Sequence, residues 1–217
     1  MTPILQLESV ACRRGDRLLF AGLSETLAAG ELLWLRGSNG RGKTSLLRLV
    51  AGLAVPEEGR ILWRGEPVRR SAAYARELLY VAHANALKDD LTATESLAFL
   101  ARVQGRDFSG GALRRALDRL GLGSRARASV RTLSQGQRRR VALARLALEP
   151  AAALWVLDEP FDALDLASTT TLHELLDTHR AAGGGVLLTS HHLPLSTSPN
   201  AHVPAPRVLD LDTLRAA

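Results

Sequence analysis

The segment Gly37-Ser38-Asn39-Gly40-Arg41-Gly42-Lys43-Thr44 constrains this chain more than any other stretch. It has the spacing G-x-x-x-x-G-K-T and lies between an apolar run, ELLWLRG at 31–37, and Leu46, Leu47, Val50 and Leu53 at helical spacing. Gly52 and Pro56 sit where that helix should stop. A loop with three glycines leaves its inner wall free of side chains, so successive N–H groups can curl around one anion. The helix N-terminus behind it adds a positive dipole end. The expected ligand is therefore a nucleoside triphosphate, with Mg²⁺. Lys43 reaches toward the β/γ-phosphates, and the Thr44 hydroxyl suits the metal. Gly37, Ser38, Asn39, Gly40, Arg41, Gly42, Lys43, Thr44 and Ser45 are the expected nucleotide contacts.

The rest of the pattern is compatible with a sheet that would carry such a loop. ILQLESVAC, GRILWRG, LLYVAH (78–83), AALWVLD and GVLLTS read as strands, with RVLDLD as a last edge strand. The middle is helical. Thr92 with Glu95 forms a capping box ahead of Leu97, Leu100 and Val103. Leu113, Ala116, Leu117 and Leu120 mark a second helix; Ser134 with Gln137 caps a third, through Val141, Ala144 and Leu148. Leu172, Leu175 and Leu176 place an amphipathic helix between the last two apolar strands. The expectation is a single α/β domain over 1–217, with a core at about 1–87 and 146–217 and a helical subdomain at about 88–145.

A second constellation follows from Ala153-Leu154-Trp155-Val156-Leu157-Asp158-Glu159. Apolar residues ending in two acids put both carboxylates at the tip of a buried strand, where open α/β sheets bind ligands. Asp158 suits Mg²⁺, and Glu159 suits the water that attacks a γ-phosphate.

The third constellation, Leu133-Ser134-Gln135-Gly136-Gln137, resembles the LSGGQ-type signature of ABC ATPases, and its distance from Asp158-Glu159 fits that family. The resemblance covers roughly residues 4–213. It implies an α/β P-loop NTPase fold of ABC type: a RecA-like core, an antiparallel β subdomain and an inserted helical subdomain. It also implies ATP hydrolysis, and a homodimer in which Ser134, Gly136 and Gln137 of one subunit face the nucleotide of the other. Phe161-Asp162-Ala163-Leu164-Asp165 resembles the family's D-loop, which brings Asp165 to the nucleotide. His191, closing LLTSH, matches the switch histidine, with His192 as its rival. LLYVAHANALKDDLTATESLAFLA, LSQGQRRRVALARLAL and LWVLDEPFDALD further resemble ATP-binding subunits of cytochrome c maturation (haem exporter) ABC transporters.

Two departures from the family stand out. Arg14 occupies the place of an adenine-stacking aromatic, either as a guanidinium stacked on the base or as a solvated arginine. The glutamine expected some 40 residues after Lys43 is missing, and the place reads His83-Ala84-Asn85. Asn85 is the expected substitute oxygen for Mg²⁺, and His83 reads as a structural residue of an apolar strand.

Composition narrows the partners. No run reaches the roughly 18 uncharged apolar residues of a membrane span, and no secretory signal opens the chain. A single cysteine, Cys12, fits a reducing compartment. The isoelectric point near 10.6 raises nucleic acid. The excess is local, however: residues 102–145 hold 12 Arg against Asp107 and Asp118. With no coiled-coil arm and no second cassette, nucleic acid is not expected. The expected setting is the cytoplasmic face of a bacterial inner membrane, peripheral, docked on an integral permease subunit of cytochrome c maturation type. An ATPase subunit of another small importer or exporter is the alternative, with a nucleic-acid- or ribosome-associated ATPase a more distant one.

Overall fold

The computed structural model describes residues 3–148, 153–191 and 204–214. Five strands form a parallel sheet: β3 (Leu32–Arg36), β6 (Leu78–Val81), β7 (Leu154–Leu157), β8 (Gly185–Thr189) and β9 (Arg207–Asp210). Their spatial order is β6-β7-β8-β3-β9. Both faces of this sheet are covered, so its strands read as continuous apolar runs. Trp34, Leu79, Val81, Trp155, Leu157 and Leu188 face one apolar cluster, while Leu33, Leu35, Val156, Leu187 and Leu209 face another. Full burial of each such leucine stabilises by about 1.5–3 kcal/mol.

The second cluster is closed by α1 (Lys43–Val50) and by an antiparallel sheet ordered β2-β1-β4-β5. That sheet comprises β1 (Pro3–Arg14), β2 (Arg17–Ala28), β4 (Glu58–Trp63) and β5 (Glu66–Pro67). The sequence pattern does not announce β2. Its buried residues Leu19, Phe20, Leu23 and Leu27 are spaced more like a helix, because register shifts in the β1–β2 pairing break the alternation.

Three helices lie between β6 and β7 in the chain: α3 (Ala93–Val103), α4 (Gly110–Arg119) and α5 (Gln135–Leu148); a short α2 (Ala72–Glu77) precedes β6. The helices α3, α4 and α5 share the first apolar cluster with the sheet and with α6 (Leu166–Ala181). The Thr92–Glu95 capping box is present in both directions. Two positions differ from the periodic reading. Leu53 falls after α1 ends and is 60% exposed, because Gly52 at φ +71° has already turned the chain. Val103, the last residue of α3, is 69% exposed. The β6 strand also stops at Val81, two residues short of His83.

Candidate nucleotide-binding and hydrolysis site

All the chemistry gathers where the parallel strands end. The loop after β3 enters α1 through Gly42, the helix N-cap at φ +98°. A Cβ there would approach Phe20 to 3.1 Å and Leu19 to 3.2 Å, so glycine is required twice over. Lys43 doubles back across the loop, its Nζ donating to the Gly37 carbonyl at 2.6 Å. Asp212, from the turn after β9, braces the other side. It accepts from Ser38 N at 2.7 Å and Ser38 Oγ at 2.9 Å, and these bonds hold its carboxyl below the usual carboxylate range.

Asp158 and Glu159 follow β7, and Thr189 closes β8 beside them. Asp158 is 2% exposed and has both oxygens on hydroxyls: Thr44 Oγ1 donates to Oδ2 at 2.9 Å, and Thr189 Oγ1 to Oδ1 at 2.9 Å. Thr189 Oγ1 also accepts from Glu159 N at 2.8 Å. Burial pushes the Glu159 carboxyl up, partly offset by His191, whose Nε2 lies 3.9 Å from Glu159 Oε1.

Thr44, Asp158, Glu159 and His191 line a cleft of about 340 Å³ together with Arg14, Ser38, Asn39, Gly40, Gly42, Lys43, Ser45, His83 and Asp162. Sequence reasoning thus places most of the cleft, with four differences. Arg41 is not on this wall: its guanidinium donates to the carbonyls of Leu211 (2.8 Å) and Leu214 (2.9 Å) and pairs with Asp212 at 3.1 Å. It ties the loop to the turn behind it. Asn85 is not on the wall either. Its Oδ1 accepts from Arg139 at 3.0 Å, because that buried guanidinium needs acceptors. His83, expected inside an apolar strand, is instead exposed on the cleft, 3.8 Å from Asp162. The fourth difference is Gly37, which lines an adjoining pocket with Arg36, Glu159 and His191. His192 lies outside the described residues.

Ser134, Gly136, Gln137 and Asp165 stand away from this chain's own cleft. Ser134 Oγ accepts from Gln137 N at 3.2 Å, and Gln137 Oε1 accepts from Ser134 N at 3.0 Å. This reciprocal cap leaves the N-terminus of α5 presented at the surface. Asp165 caps α6 by accepting from Ser168 N at 2.8 Å, which holds its carboxyl low. Arg139, Thr189 and Asp212 escaped the sequence reading. Nothing in Arg138-Arg139-Arg140 marks the middle arginine as the buried one.

A glycine loop at a helix N-terminus, a hydroxyl–carboxylate pair beside it and a second acid next to that carboxylate at the same strand tip define a P-loop ATPase. A family model described as ABC transporter matches residues 20–162. The "Cytochrome c biogenesis ATP-binding export protein CcmA" of Aromatoleum aromaticum is 50% identical over 216 residues, covering 99% of this chain and 98% of its own. A solved "ATP binding subunit of ABC transporter" superposes with a TM-score of 0.78 at 26% identity, covering 88% of this chain and 80% of that one. An ATP-binding cassette solved as a dimer with ADP and Pi has the same fold, with a TM-score of 0.77 at 22% identity, covering 88% of this chain and 90% of that one. The chain belongs to the ABC transporter family and, within it, to the cytochrome c biogenesis ATP-binding export proteins.

Proposed function

We propose that this chain is the ATP-hydrolysing subunit of an ABC transporter complex in c-type cytochrome biogenesis, coupling ATP turnover to a haem-handling membrane subunit. The observation that carries the hydrolytic part is the convergence of Lys43, Thr44, Asp158, Glu159 and His191 on one cleft. Loop N–H groups and the Lys43 ammonium bind the phosphates. Thr44 and Asp158 offer hard oxygen donors 2.9 Å apart, a set that fits Mg²⁺. An ion held there would supply positive charge to the phosphates. Glu159 orients the attacking water, and His191 steadies the γ-phosphate. Arg14 stacks on the base.

The α5 N-terminus, with Ser134, Gly136 and Gln137, lies off its own cleft, which fits a head-to-tail homodimer closed around two nucleotides. The helical segment at about 88–145 then meets an integral permease subunit, with this chain peripheral on the cytoplasmic face of the bacterial inner membrane. No helix among the described residues is long and apolar enough to cross a membrane.

Glu159→Gln tests the reading. It keeps size and hydrogen bonding but removes the charge that aligns water. Turnover should fall by about a hundredfold or more while ATP binding persists, and an ATP-bound dimer should accumulate on size exclusion. Wild-type hydrolysis in that variant would refute the assignment.

A further inference from the structure

Glu159 adopts φ +47°, a left-handed conformation that strains a side-chain-bearing residue and persists only where the surroundings hold it. Arg139 holds it. This side chain is 3% exposed and sits early in α5. Its Nη2 donates to the carbonyl oxygens of both Asp158 (2.7 Å) and Glu159 (2.8 Å). Its Nη1 donates to the Ala82 carbonyl (2.8 Å) and to Asn85 Oδ1 (3.0 Å), with the His83 carbonyl at 3.5 Å. One planar group therefore joins three segments: the helix behind the signature, the loop after β6, and the turn of the two acids. A buried guanidinium is costly unless its donors are satisfied; these acceptors offset that cost at Nη1 and Nη2, while Nε is buried without a partner among the described residues.

We propose that Arg139 is a positioning residue for hydrolysis, which keeps the left-handed turn at Glu159 in register with the 82–85 loop and with α5. The proposal rests on the reading of Glu159 as the water-orienting acid. It also gives Asn85 a place: the residue acts on the site through Arg139, as one of its acceptors. Any displacement of α5 relative to the sheet then moves the Glu159 backbone, and with it the carboxylate that aligns water. Lysine cannot substitute, because a single ammonium on a flexible stem does not span the acceptors of both terminal nitrogens.

The test uses the purified full-length chain as Arg139→Lys, Asn85→Ala and Glu159→Gln, reading ATP Kd, kcat and thermal midpoint for each. Arg139→Lys should lower kcat by about tenfold to a hundredfold with Kd within about twofold, since a small misplacement of an aligned group costs that much. Asn85→Ala should show the same split at about two- to fivefold. Turnover at the wild-type level in Arg139→Lys would overturn the proposal. So would a parallel fall of kcat, affinity and thermal midpoint, the pattern of a merely structural arginine. Should Arg139→Lys fail to fold, Asn85→Ala decides alone: wild-type kcat there overturns the proposal. An inactive Glu159→Gln beside an active Arg139→Lys sinks the Arg139 proposal alone. An active Glu159→Gln sinks the Glu159 assignment and this proposal with it.

Discussion

Thr44 Oγ1 donates to Asp158 Oδ2 at 2.9 Å, reaching past β8, the strand that separates β3 from β7. The second oxygen of Asp158 is held by Thr189. The pair is thus a ready oxygen site with one negative charge. Asp158→Asn keeps the shape and removes that charge. ATP affinity without metal should be unchanged, whereas the gain on adding Mg²⁺ should shrink about tenfold or more, because a neutral amide is a poorer ligand for a hard cation. Titration with a fluorescent ATP analogue in EDTA and in Mg²⁺ measures both; an undiminished gain would contradict the assignment of Asp158.

Gly136 packs so closely on the D-loop-like turn that a Cβ would fall 2.5 Å from the Ala163 carbonyl. Backbone cannot yield as a side-chain tip can, so Gly136→Ala should push the α5 N-terminus away from the turn after β7. A destabilisation of about 1–3 kcal/mol is expected. Turnover should fall more than ATP affinity, since the phosphate loop is not touched. Equal losses in both would show that the strain spreads to the P-loop.

His179 stacks on Trp155 with ring centroids 3.9 Å apart, and burial lowers its pKa from 6.5 to about 4. In the unfolded chain this imidazole takes up a proton first as pH falls. Its contribution to stability is therefore complete above about pH 6.5 and is lost progressively as pH drops toward about 4, by up to about 3 kcal/mol. Denaturant midpoints from about pH 7.5 to pH 5 should decline, and His179→Gln should flatten the slope over that interval. An unchanged slope would mean that other groups dominate the acid limb.

Arg114, Arg115 and Arg119 are exposed on α4, the outer helix of the basic segment. Anionic lipid headgroups attract such residues by up to about 1 kcal/mol each. Co-sedimentation with anionic vesicles at low salt should drop when all three are changed to Gln, and salt should abolish the difference. Equal sedimentation of variant and parent would leave these arginines as an ordinary solvated face.

The sequence by itself determined what depends on neighbours along the chain. The phosphate loop, the apolar strand ending in Asp158-Glu159, and the capping boxes at Thr92 and Ser134 each need only residues within a few positions, so spacing alone reveals them. Tertiary structure decided every relation that crosses the sheet order. Ser38 meets Asp212 across 174 positions, and Thr189 meets Asp158 across 31, because β9 and β8 flank the strands that carry the loop and the acids. It also decided that Arg41 turns to the C-terminal turn, that His83 reaches the cleft while Asn85 turns to Arg139, and that β2 is a strand at all. None of these leaves a periodic trace, since a hydrogen bond between distant segments depends on where packing brings their ends. That placement is set by the shared apolar clusters, to which every element contributes and which no single segment specifies.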